Sequence, residues 1–213
     1  MNLTPLQKIT YGLYVVGCYS DGRPVGCIIN TCFQVTSENP VLAISLNKNN
    51  FTLDAIRRNP RFSLSILAED TDPSIIGKFG FCSSRDNDKY SGYGYKDLDG
   101  APAVEGKFCG RLILDAFDFV DCGTHVIVIG RLKATYEGEG RPMTYSYYHE
   151  VIKGSAPKNA PTYREDPSSE PLPAAKHVYK CDVCGYTVEC DGELPADFTC
   201  PICGVDRSHF KEV

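Results

Sequence analysis

Between Gly12 and Tyr136 apolar and polar positions alternate in short runs: GLYVVGCY, VGCIINTCFQV, VLAISL, RFSLSIL, GRLILDAFDFV and THVIVIGRLKATY. Such alternation, rich in β-branched residues, suits strands whose two faces meet different surroundings. Several short strands separated by turn residues predict a mainly β fold, a barrel or a sandwich. Helical periodicity is confined to short pieces. In NNFTLDAIRRNP, Asn49, Asn50 or Thr52 can cap the start, Leu53 and Ile56 face inward, and Arg57 and Arg58 suit the C-terminal end of the dipole. Asn59-Pro60 then stops it. A second piece, PSIIGKFG, opens with Pro73 in the first turn, where a missing N–H costs nothing. From Cys82 to Lys107 the pattern dissolves into a polar excursion rich in Gly, Asp and Tyr, which predicts a long loop. Between Gly154 and Lys176 five prolines among serines, alanines and charges predict an extended linker. The chain thus divides into residues 1–155, a connection over 156–178, and a small unit over 179–213.

At 213 residues the length fits one ordinary domain plus a small one. The net charge of −5 excludes a nucleic-acid binder, which needs clustered Lys and Arg to neutralise phosphates. No apolar run approaches the ~18 residues of a membrane span. MNLTPLQKIT lacks the basic and apolar regions of a signal peptide, so the expectation is a soluble, cytoplasmic protein.

The small unit carries the strongest chemistry. Cys181 and Cys184 form one C-x-x-C hook, Cys200 and Cys203 a second, with fifteen residues between them. Four thiolates at this spacing close a tetrahedral metal site. Each hook runs into a glycine, Gly185 or Gly204, able to take the positive φ that curls the chain so its amides point at sulfur. Spacing alone admits zinc or iron. So small a unit cannot bury an adequate core unaided, so its metal is part of its folding energy. Cys190, inside the inter-hook segment, has no place in a four-ligand site. The seven cysteines outside the hooks are scattered, which suits thiols in a reducing compartment.

The residues CGY after the first hook, LPADFTCPICG around the second, and the aromatics Tyr179, Tyr186, Phe198 and Phe210 resemble rubredoxin, a one-iron electron carrier. The shortened inter-hook segment and the absence of tryptophan make the unit similar to the abbreviated rubredoxin modules fused to larger redox proteins. A zinc ribbon is the other reading.

In the large unit, SLNKNNFT lies between a strand and a helix start. Helix-terminal amides, a lysine and short polar side chains suit a phosphate, and equally suit a capped helix with a solvated lysine. His125 follows Gly123 and Thr124 at the start of a strand; alone it fits a structural role as well as a chemical one. The GYG in the polar excursion lacks the G-x-G-x-x-G pattern and setting of a dinucleotide fold.

The stretches ITYGLYVV, GCIINTCFQVTSENPVLAISLNKNNFTLDAI, FSLSILAE, IIGKFGF, the polar run ending in DKY, CGTHVIVIGRL and PMTYSYYHEVIKGSAPKNAPTY resemble, in order, the flavin reductase family with an FMN-binding split β-barrel. The resemblance implies that Asn30, Thr31, Gln34 and Val35 line the isoalloxazine and ribityl chain. Cys32 replaces the usual aliphatic residue there. It implies that Ser45, Asn47, Lys48, Asn49 and Thr52 hold the phosphate, and that His125 lies near flavin and nicotinamide, orienting one or tuning the other. The polar excursion becomes a flap over the flavin, with Arg85 and Lys89 as anion contacts. NAD(P)H binds transiently on the flavin, and the family favours a homodimer.

A flavin barrel joined to a rubredoxin converts two-electron hydride chemistry into single electrons. The expected function is oxidation of NAD(P)H through FMN and iron, with electrons passed to a partner reductase. The resemblance implies a flavodiiron oxygen or nitric oxide reductase as that partner. The rivals are a free-flavin or ferric-complex reductase with an accessory rubredoxin, and a non-enzymatic flavin sensor with a zinc ribbon.

Overall fold

The computed structural model describes residues 4–152, 154, 160–162, 177–190 and 193–213. Most of the linker predicted over 156–178 lies outside the described residues. The large unit is built on seven strands: β1 (Tyr14–Ser20), β2 (Arg23–Ile29), β3 (Cys32–Gln34), β4 (Val41–Asn47), β5 (Arg61–Leu67), β8 (Phe108–Asp121) and β9 (His125–Glu137). They form one antiparallel sheet in the order β2-β1-β5-β8-β9-β4-β3. The predicted run VGCIINTCFQV is therefore two strands, parted at Asn30-Thr31.

That parting shapes the molecule. β2 and β3 are the two edges of the sheet, yet only Asn30 and Thr31 join them. Three peptide steps reach at most about 11 Å, so the sheet must curl until its edges nearly meet. Packing shows the same curl. Val16, Cys27, Ile44, Leu64, Leu114 and Val128, one from each of six strands, share a single buried cluster with Leu53, Ala55 and Ile56 of α1 (Phe51–Arg58). The helix plugs the barrel. Asn50 supplies its cap, its Oδ1 accepting from the Thr52 amide at 3.0 Å. Register shifts at Ile66/Leu67, Ile113/Leu114 and Ala116/Asp118 let the long strands bend.

Alternate residues of β1 face the other way: Val15 joins a second cluster with Leu67, Phe108, Met143 and residues of α2 (Pro73–Phe81) and α3 (Tyr145–Glu150). Both faces of the sheet are thus covered. Asp72 caps α2 through the Ser74 amide, and Pro73 takes the first turn. No helix among the described residues is long and apolar enough to cross a membrane.

The predicted Cys82–Lys107 loop is corrected: it contains a hairpin, β6 (Tyr95–Leu98) and β7 (Ala101–Val104). Asp99 and Gly100, both at positive φ, make its two-residue turn. Every residue of β7 is buried, over β1 and β5. Edge-to-face contacts of Tyr90 with Phe79 and Tyr95 hold the segment down.

The small unit is a three-stranded sheet, β11 (Thr187–Cys190), β10 (His177–Cys181) and β12 (Phe210–Glu212), with Phe198 edge-on to Phe210. β10 starts two residues ahead of the boundary expected at 179.

Close approach of β7 to β1 depends on Gly17, where a Cβ would lie 2.1 Å from the Pro102 carbonyl and 2.6 Å from the Tyr90 hydroxyl. Gly17→Ala is expected to destabilise the barrel by about 1–3 kcal/mol, read as a lower urea midpoint at unchanged slope. An unchanged midpoint would mean that the hairpin is not seated there.

Candidate metal centre and flavin edge

The two hooks are built alike. Cys181 and Cys200 each donate their amide to the residue five on, Tyr186 O and Val205 O, both at 2.8 Å. Gly185 and Gly204, at φ 75° and 72°, return their amides to Cys181 O and Cys200 O at 2.9 Å. This curl turns further amides onto sulfur: those of Tyr186, of Ile202 and Cys203, and of Val205 face Cys184, Cys200 and Cys203 respectively. The four Sγ atoms lie within 4.8 Å of one another, Cys181–Cys203 at 3.6 Å and Cys184–Cys200 at 3.5 Å. A tetrahedral thiolate site with bonds near 2.3 Å has sulfurs about 3.8 Å apart, so the group fits a metal. The hydrogen bond from Cys184, with the amides aiding it, lowers Cys200 to about 5, while the same bond and burial raise Cys184. Sulfurs this close crowd one another once deprotonated, and a cation at their centre relieves that crowding. Cys190 stands opposite His177 at the end of β11, outside the group.

The second constellation lies at the seam of the barrel. β3 pairs with β4, β4 with β9, and these registers set Ser45 opposite Ile127 and Asn47 opposite His125. Ser45 N donates to Thr31 O at 3.3 Å, which ties the β2–β3 link to the same strand end. Lys48 donates its amide to Thr124 O at 3.0 Å and places Nζ 2.6 Å from Asp121. Asn47 Oδ1 accepts from Asn49 N at 2.9 Å, and His125 Nδ1 lies 2.9 Å from Thr124 Oγ1. Thr31, Ser45, Asn47, Lys48, Asn49 and His125 therefore share one neighbourhood. An ammonium, two carboxamides and two hydroxyls are the donor chemistry a phosphate monoester takes. Cys32 is half-buried, and burial pushes its thiol up to about 12, so it stays neutral. Gln34 and Val35 are exposed farther along the edge; Gln34 Nε2 bonds Thr36 O at 2.8 Å.

Two expected contacts lie elsewhere. Thr52 is fully buried in α1 and its amide is consumed by the Asn50 cap, so it offers nothing to a phosphate at the surface. Lys89, 3% exposed, points inward and donates to Gly26 O and Phe79 O, both at 2.9 Å. It clips α2 to β2 rather than waiting for an anion. Arg85 stacks on Phe51 at 5.4 Å, near the start of α1.

Sequence reasoning missed Asp121, whose carboxyl Lys48 holds below its usual range, because a single acid on a strand carries no local signal. It also missed a chain of contacts from Asn30. The buried Asn30 Nδ2 donates to Thr162 Oγ1 at 2.8 Å, and Thr162 Oγ1 donates to Tyr145 Oη at 2.9 Å. A cavity of about 590 Å³ lies apart from all these residues, lined by Arg61, Asp115, Phe117, Arg131 and Lys133. Its charges are already engaged: Arg61 and Lys133 pair with Asp115, and Arg131 covers Phe117 at 4.1 Å.

Residues 6–155 match the model of the flavin reductase like domain. The chain belongs to that family. Residues 179–211 match the rubrerythrin, rubredoxin-like domain. The chain resembles along its whole length the high molecular weight rubredoxin of Moorella thermoacetica, 37% identical with 100% of both chains covered. It is 35% identical to the ferric-chelate reductase (NAD(P)H) of Archaeoglobus fulgidus, covering 78% of this chain and 99% of the relative. Among solved structures, nitrilotriacetate monooxygenase component B from Mycobacterium thermoresistibile has a TM-score of 0.59 at 24% identity, covering 66% of this chain and 78% of that one. An FMN-binding protein from Thermus thermophilus has 0.57 at 22%, covering 61% and 73%. The curled sheet is thus the split barrel of this family. A flavin reductase domain fused to a rubredoxin-like domain is an electron-transfer flavoprotein, and the four sulfurs are the iron site of its second half.

Because each hook supplies half of the sulfur tetrahedron, replacing any one of Cys181, Cys184, Cys200 or Cys203 by Ser should abolish the iron absorption bands. The module should unfold while the barrel's circular dichroism persists. Stoichiometric zinc in protein from iron-replete cells would overturn iron as the resident metal.

Proposed function

We propose that this flavin reductase oxidises NAD(P)H through FMN and delivers single electrons through iron to a partner reductase. The observation that carries the reading is the presence, in one chain, of a flavin reductase barrel and a four-sulfur centre. FMN when bound takes hydride and gives up electrons one at a time, as a centre that changes by one electron requires. The residues at the seam divide the work. Lys48, Ser45, Asn47 and Asn49 hold the phosphate, with Asp121 keeping the ammonium in place. Asn30, Thr31, Cys32, Gln34 and Val35 flank the rings. His125, facing Asn47 across the strand pair, orients the nicotinamide. Burial at Cys32 and Asn30 excludes water from that side of the seam.

The wider reading is cytoplasmic, where the remaining cysteines stay thiols, and homodimeric across the β3 edge, where Phe33 and the following Val35 stand 55% and 52% exposed. The acceptor implied by the rubredoxin-like half is a flavodiiron-type oxygen or nitric oxide reductase. The likeness to a ferric-chelate reductase supports a second reading, in which the flavin reduces an external ferric complex and the iron module is accessory.

Anaerobic titration separates them. FMN takes two electrons and iron one, so full reduction should consume about 1.5 equivalents of NAD(P)H per chain. Iron that stays ferric after the flavin is reduced would overturn the first reading. In stopped flow, His125→Ala should slow flavin reduction with FMN occupancy preserved.

Loss of the lysine tests the phosphate seat. Lys48→Ala should weaken FMN by roughly tenfold or more, as expected for a charge-assisted hydrogen bond, and leave riboflavin nearly unchanged. Equal weakening of both ligands would remove Lys48 from the phosphate site.

A further inference from the structure

The second hook of the iron module does not face solvent on all sides. α2 passes so close to it that a Cβ built on Gly77 would lie 1.6 Å from Ile202 O and 2.5 Å from Cys203 Cα. Only a glycine permits that approach, because the atoms met are backbone and cannot swing aside. Three further residues continue the surface. Phe81, at the end of α2, packs on the cluster that contains Cys181, Cys184, Cys200, Leu194, Ile202 and Phe210. Ile152, just past α3, packs on that cluster and on the barrel's outer cluster alike. Tyr148 of α3, 2% exposed, lies within electrostatic reach of Cys184, Cys200 and Cys203.

From Tyr148 the contacts run back to the seam. Its ring stacks with Tyr145 at 6.3 Å between centroids, 18° from parallel. Tyr145 Oη accepts from Thr162 Oγ1, which accepts from Asn30. Asn30 is the first residue of the link that joins the barrel's edges. A continuous packed and hydrogen-bonded path therefore connects the flavin edge with the sulfur cluster.

We propose that Gly77, Phe81, Tyr148 and Ile152 form a built seat for the Ile202–Cys203 hook of the same chain, and that electrons reach the iron in this seated state along Asn30, Thr162, Tyr145 and Tyr148. The seat rests on no assumption about the acceptor; the electron path rests on the function proposed above. In each event one electron leaves the hydride-reduced flavin and converts Fe(III) to Fe(II). No bond forms or breaks in the protein, and the tyrosines keep their protons and serve as the dense medium between the centres. Two consequences follow for specificity. The hook is covered on its barrel side while it receives an electron, and a helix glycine with no turn or positive φ to explain it acquires a reason.

Gly77→Ala tests the seat without harming the helix, since alanine is the better helix former. Gly80→Ala is the matched control: its Cβ would meet only Ile28 side-chain atoms, at 3.7 Å and beyond. In full-length, flavin-loaded protein, ferric iron should broaden the amide NMR signals of α2 and α3 relative to the zinc-substituted form. That broadening should persist in Gly80→Ala and be lost in Gly77→Ala. Equal broadening in all three proteins would overturn the seat. Broadening that appears when labelled zinc-form chains are mixed with unlabelled ferric chains, and is absent otherwise, would assign the seat to a second copy and overturn docking within the chain. For the path, Gly77→Ala should slow iron reduction by about tenfold or more, leaving only the tether, with flavin reduction unchanged. An unchanged iron rate despite lost broadening would overturn the path. Wild-type iron that NAD(P)H does not reduce at all would sink the proposed function, while the NMR comparison would still judge the seat.

Discussion

Everything at the seam of the barrel depends on a short tether between two strands that cannot pair. β2 and β3 follow one another in the chain but stand at opposite edges of a seven-stranded sheet, with only Asn30 and Thr31 between them. A flat sheet would separate those edges by several strand spacings of about 4.8 Å, far beyond the link's reach. Curling satisfies the link, creates an interior, and obliges that interior to be filled. α1 fills it, and the same helix must begin where β4 leaves the sheet. The polar residues between β4 and α1 therefore arrive at the seam, facing the start of β9, as a consequence of closure.

What could be read from the residues alone was what is encoded locally. Strand periodicity, the Asn-Pro stop, Pro73 and the two cysteine hooks each act over a few residues, and each stands where the pattern placed it. The failures involve burial decided by distant partners. Lys89 reads as a surface cation because lysine is costly to bury, but carbonyls of Gly26 and Phe79, from separate elements, take up its ammonium. Thr52 reads as a helix-start hydroxyl, yet the plugging of the barrel by α1 carries it inside. The β6–β7 hairpin was partly legible: Asp99-Gly100 is a strong turn signal, and the acidic and tyrosine-rich flanks masked it. The Asn30–Thr162 bond spans 132 positions and leaves no mark in either neighbourhood.

The iron module obeys a different economy. Its three short strands enclose a core made largely of its own ligands, with Leu194, Ile202 and Phe210 around them. Close sulfurs repel once deprotonated, so this packing is favourable only with a cation at its centre. The amides aimed at Cys184, Cys200 and Cys203 add fixed dipoles that favour the thiolate state and, in a redox site, the more reduced and more negative cluster. Geometry that folds the module therefore also biases its potential.

The bond between Asn30 and Thr162 also bears on where the barrel ends. The match to the family model stops at residue 155, and a boundary drawn there looks natural. Yet the amide that guards the seam finds its partner seven residues later, in Thr162, which in turn holds Tyr145. A barrel cut at residue 155 would leave the buried Asn30 Nδ2 without this acceptor, at the seam. The barrel's hydrogen-bonding structure therefore runs at least to Thr162, so the limit of the family match and the physical joint do not coincide.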